Sequence, residues 1–109
     1  MPQEDRFIMF NYEEVYTALR IRSITQKTEI PTDGEIENIV FGEENQADST
    51  VSIALKKTDG SIEKLDFTLE FFANALVFFC QGNNIPIPRA GKKEIMQKNG
   101  KIMLHIHIP

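Results

Sequence analysis

The chain is expected to fold as an α+β domain, with an antiparallel sheet of about four to five strands and two helices packed on one face, in the order α-β-β-β-α-β-β. Three stretches carry this expectation. Residues 50–67 alternate apolar and polar around an Asp-Gly pair. Residues 68–81 hold a wide apolar face at helical spacing, and residues 101–108 alternate again after an Asn-Gly pair.

The first helix spans Asn11 to about Gln26. Asn11 can cap it, and Glu14, three residues on, can complete a capping box. Tyr12, Val15, Tyr16 and Leu19 fall at i, i+3, i+4 and i+7, which makes one apolar stripe with Arg20 and Lys27 off it. Glu29 to Gly34 (EIPTDG) is a connection, because Pro and Asp-Gly both break regular structure. Glu35 to Phe41 is a candidate strand of mixed patterning, and Gly42 to Ser49 is a polar, acidic loop without periodicity.

In Thr50 to Lys57, residues Val51, Ile53 and Leu55 face one way and Ser52, Ala54 and Lys56 the other. Asp59-Gly60 suggests a two-residue hairpin turn. That register would set Leu65 opposite Ala54 and Phe67 opposite Ser52, on the polar face. A three-residue loop, Thr58-Asp59-Gly60, pairs Ile53 with Leu65 and Val51 with Phe67, so the apolar sets share a face. Since a one-residue slip turns every side chain over, the second register is preferred, with Gly60 in the left-handed bulge position.

Thr68 can cap the second helix, which runs to about Gln81 and stops at Gly82. Phe72, Leu76 and Phe79 form the stripe expected on the sheet. Phe71, Val77 and Phe78 lie at its flanks, where they must meet the first helix or a second copy of the chain. Asn83 to Pro88 (NNIPIP) is extended, because each Pro excludes its predecessor from the helical region. Lys92 to Lys98 is a strand or a short helix. After Asn99-Gly100, residues Ile102, Leu104, Ile106 and Ile108 alternate with Lys101, Met103, His105 and His107 in a good strand.

With 109 residues, 41% hydrophobic and 26% charged, the chain has room for a single domain, residues 1–109, that needs no disulfide staple. The lone cysteine, Cys80, fits a reducing compartment. Residues 1–14 are acidic and lack the apolar stretch of a secretory signal. The longest apolar run, Phe71 to Cys80, is about half of a membrane span. A cytoplasmic protein with no membrane association is the expectation.

The net charge of −4 is unevenly spread: residues 1–88 carry −8 and residues 89–109 carry +4. Arg89, Lys92, Lys93, Lys98 and Lys101 are therefore candidate anion-binding residues. No aromatic is interleaved among them to stack bases, so nucleic acid is the secondary expectation. His105 and His107, two apart on a strand, project from one face and are weak metal candidates, since a site needs three or four ligands. Cys80, amid apolar neighbours near a helix C-terminus, is expected to be buried and inert. No phosphate-binding glycine loop, serine elbow or cofactor motif appears, so no cofactor is expected and catalysis is not. The surplus of large apolar side chains on the second helix points instead to a protein-interaction module, self-associating as a homodimer or meeting a protein partner, with Phe71, Val77 and Phe78 at the contact.

Overall fold

The six strands among the described residues divide into two antiparallel three-stranded sheets, ordered β1-β6-β5 and β2-β3-β4. In this computed structural model, which describes residues 3–25, 34–42, 49–87 and 91–108, the elements are β1 (Glu4–Phe10), α1 (Tyr12–Thr25), β2 (Glu35–Phe41), β3 (Thr50–Lys56), β4 (Ile62–Thr68), α2 (Leu69–Gly82), β5 (Lys92–Lys98) and β6 (Lys101–Ile108). The class is α+β, as the sequence predicts. The single sheet of four to five strands is corrected to two sheets, and the order to β-α-β-β-β-α-β-β. Each hairpin recruits one further strand: β6 takes β1 along its free edge, and β3 takes β2.

Local chemistry fixes the element ends. At the start of α1 the Glu14 amide donates to Asn11 Oδ1 at 2.8 Å, and the Asn11 amide donates to Glu14 Oε1 at 3.0 Å. This reciprocal pair satisfies two otherwise orphaned donors. At the start of α2 the Phe71 amide donates to Thr68 Oγ1 at 3.1 Å. The other end departs from expectation, because Gly82 is the last helical residue rather than the stop. Asn84 takes the left-handed conformation (φ 58°) instead, and the Ile85 amide closes onto the Cys80 carbonyl.

The three-residue hairpin register is present. Ile53 pairs with Leu65 and Val51 with Phe67, the Lys57 amide donates to the Ser61 carbonyl, and Gly60 has φ +87°. Between Ile36 and Asn38 the ladder of β2 shifts register at Glu37. This bulge explains the mixed patterning of the stretch, since it lets Ile36, Ile39 and Phe41 all face inward despite their uneven spacing. Lys92 to Lys98 is a strand, and Asn99 (φ 52°) and Gly100 (φ 73°) make the tight turn to β6.

Both sheets turn one face to a shared core. Ile102, Leu104 and Ile106 of β6 and Val51, Ile53 and Leu55 of β3 are almost wholly inaccessible, together with Val15 and Leu19 of α1 and Phe72 and Leu76 of α2. Each such side chain contributes roughly 1.5–3 kcal/mol by leaving water. Helix α1 touches β1, β6 and β2, whereas α2 packs on α1, β3 and β4. Phe10 meets Phe79 edge-on with ring centroids 6.1 Å apart, which ties the end of β1 to α2. No helix among the described residues is long and apolar enough to cross a membrane.

Candidate functional site

Strand periodicity sorts the terminal sheet into two faces. Since Ile102, Leu104 and Ile106 point into the core, Lys101, Met103, His105 and His107 point out. The pairing of β1 and β5 on either side of β6 builds outward rows across the three strands. Met9, Met103 and Met96 share one row, Phe7, His105 and Glu94 the next, and Asp5, His107 and Lys92 the third. Lys101 and Lys98 close the end beside the turn.

The middle of this face is apolar and open to solvent. Phe7 is 56% exposed and Met9 51%, and Met96 and Met103 are half-buried beside them. The Phe7 ring lies flat on that of His105, with centroids 4.5 Å apart and planes 7° from parallel. Such stacking holds the imidazole in one orientation.

The third row ends in a polar cluster. Asp5 Oδ1 lies 2.9 Å from His105 Nε2 and 2.6 Å from His107 Nδ1. With protons on those nitrogens, both rings donate to one carboxylate oxygen. These bonds, His105's first and His107's second, hold the Asp5 carboxyl below the usual carboxylate range. The other nitrogen of His105, Nδ1, lies 3.8 Å from Glu94 Oε2, and Lys92 Nζ is 3.5 Å from the other oxygen of Glu94.

The residues singled out from sequence are dispersed. Phe71 stacks on Phe67 of β4, with centroids 5.4 Å apart. Val77 is half-buried against the core. Phe78 remains 38% exposed, with the Arg22 guanidinium 5.5 Å from its ring centroid. Of the basic residues, Arg89 lies outside the described residues. Lys92, Lys98 and Lys101 share the outer face, but Lys93 pairs with Ile106 and belongs to the opposite one. Lys92 is also about 20 Å along the strand from Lys98. The structure therefore does not gather the four described lysines into one patch. Cys80 is fully buried, and its thiol pKa is pushed up, first by that burial and then by the nearby Glu14 carboxylate. The burial expected of this cysteine is observed.

Sequence reasoning missed Asp5, Phe7 and Met9. The signal was their i, i+2, i+4 spacing, obscured because the neighbouring Ile8 and Phe10 are also apolar. A cleft of about 550 Å³ beside α1, lined by Tyr12, Tyr16, Arg20 and Glu35 among others, was likewise not foreseen. Its main cation, Arg20, is laid over the Tyr16 ring at 5.7 Å. No protein-family model, curated protein or solved structure matches this chain.

Proposed function

We propose that the protein is a self-associating interaction module, and that two copies meet through the outer face of the β1-β6-β5 sheet. The observation that carries this reading is the adjacency of two large, half-exposed apolar side chains, Phe7 and Met9, with Met103 and Met96 continuing the patch across the strands. Charged residues bound it at both ends: Lys98 and Lys101 at one, Asp5 and Lys92 at the other. An apolar centre within a polar rim is the anatomy of a protein contact. Because both signs of charge are present on one surface, the face can complement a copy of itself, and a two-fold dimer is the commonest arrangement of that kind.

Sedimentation equilibrium tests the reading. The wild type should dimerise, and Met9→Asp should dissociate it while leaving the fold intact. Each copy loses roughly 1.5 kcal/mol or more of apolar burial, and a symmetric dimer carries the change twice. The dissociation constant should therefore rise by at least about a hundredfold. A wild type that stays monomeric at several hundred micromolar contradicts the proposal. A second reading sets the contact on the helices, favoured by the 38% exposure of Phe78. In that case Phe78→Ala, and not Met9→Asp, releases the monomer.

A further inference from the structure

We infer that Asp5, His105 and His107 form a binding site for one divalent transition-metal ion of the zinc class, built within a single chain. The cluster lies at one end of the outer face, beside the apolar patch of Phe7, Met9, Met96 and Met103, and shares Asp5 with the charged rim of the proposed contact. One donor atom from each of the three residues lies within 4.8 Å of the other two, and Asp5 Oδ1 sits between His105 Nε2 and His107 Nδ1. Three converging ligands is the number that an open zinc site takes from protein, with water or another group in the fourth position.

The ligand chemistry selects the class of ion. Two imidazole nitrogens and one carboxylate suit zinc, nickel or copper(II), whereas calcium and magnesium take shells made of oxygen. Nor do these residues include the thiolate that would favour a soft monovalent ion.

Geometry and surroundings fit as well. Two donors bound at about 2.0–2.1 Å in a tetrahedral site lie roughly 3.3 Å apart. The present separations of Asp5 from the rings, 2.9 and 2.6 Å, are those of hydrogen bonds. The ion replaces the protons in those bonds, and the carboxylate oxygen draws back from each ring nitrogen by about half an ångström to admit it. Side-chain exposures of 19% for His105, 38% for His107 and 48% for Asp5 leave the ion a path in and room for a water. Around the ligands stands a supporting layer of the sort that metal-bound histidines keep. Glu94 faces the second nitrogen of His105 at 3.8 Å, and Phe7 stacks on the same ring. The two histidines come from adjacent outward positions of β6, and the carboxylate from β1 arrives opposite His107 only through strand pairing.

The experiment is a Zn2+ titration of tag-free, chelator-treated full-length protein against a chromogenic competitor, read together with the histidine ring nitrogens by NMR. Binding of one ion per chain is expected, with His105 responding at Nε2 and His107 at Nδ1. His105→Gln, His107→Gln and Asp5→Asn should each weaken binding by at least about tenfold. Asp5 is exposed, so Asp5→Asn remains informative even if a histidine variant fails to fold. Met9→Asp, which separates the proposed dimer, should bind zinc as tightly as the wild type. Loss of binding there would mean that the ligands come from two chains, and would overturn a site built within one. Absence of stoichiometric binding, binding unaltered in all three ligand variants, or ring nitrogens other than those two taking the ion would each overturn it outright.

Discussion

The two sheets of this molecule are alike on the inside and unlike on the outside. Each has three antiparallel strands, and each turns a central strand of fully buried aliphatic side chains to the core: Ile102, Leu104 and Ile106 in one, Val51, Ile53 and Leu55 in the other. On the outside the β2-β3-β4 sheet shows Ser52, Ala54, Lys64 and Asp66, with Ser52 Oγ donating to Asp66 Oδ1 at 2.7 Å. Its exposed apolar residues, Val40 and Ile62, stand on opposite edge strands in separate rows. That is an ordinary solvated face, where scattered apolar residues need no explanation. The β1-β6-β5 sheet instead sets Phe7 beside Met9, extends them with two more methionines, and ends in two histidines around one carboxylate. The two inner faces are alike within one core, so the difference lies on the outside alone, and the proposed contact and metal site both rest on it.

The largest effects should show that the inner faces are equal. Leu104→Ala in one sheet and Ile53→Ala in the other should each cost about 2–5 kcal/mol in urea unfolding, and Phe72→Ala, beneath α2, about 3–5 kcal/mol. A marked inequality between the first two would mean that the sheets do not share one core. Next in size is the β3-β4 turn. Gly60 has φ +87° with nothing near the position of a Cβ, so only backbone strain opposes a side chain there. Gly60→Val should destabilise by about 1–3 kcal/mol.

Outer-face changes sharpen the contrast at lower energy. Ile62→Ser should stay within about 0.5 kcal/mol and leave the association state untouched, as befits an isolated surface residue. The smallest effect concerns pH. Asp59 accepts hydrogen bonds from the Ser61 hydroxyl, the larger influence, and from its amide, and these hold its carboxyl below the ordinary 3.8. A folded-state value that is depressed stabilises above the unfolded value, and this contribution is lost as pH falls through the folded one. The advantage of wild type over Asp59→Asn in urea midpoint should thus be constant near neutrality and shrink only below about pH 4.

How far the sequence reveals this structure depends on where the relevant partners lie. The β3-β4 register was legible because both strands and their turn fall within twenty residues, and only one register buries Val51, Ile53, Leu65 and Phe67 together. Both helix starts were legible for the same reason, as their caps reach three residues. Strand β1 was not, because Phe7, Ile8, Met9 and Phe10 are apolar on both faces and show no alternation to read. The candidate site went with it. The spacing of His105 and His107 was visible, but their carboxylate partner, Asp5, lies a hundred positions away and joins them only when β1 pairs with β6. Of the flanking phenylalanines of α2, Phe78 meets Arg22 of α1, one of the two expected surroundings, and Phe71 meets Phe67 of β4, a strand that helical spacing did not point to.

The central claim is that the outer face of the terminal sheet, and not its counterpart or the helices, is where the protein meets its partner copy. Amide chemical shifts of the wild type, followed by NMR across a dilution series, test it most directly. Concentration-dependent shifts should concentrate in residues 5–9, 94–96 and 103–107. Amides of Ser52, Ala54, Lys64 and Asp66 should stay fixed, and Met9→Asp should abolish the dependence. Shifts centred on Phe78 and its neighbours in α2, or spectra that do not change with concentration, would contradict the account.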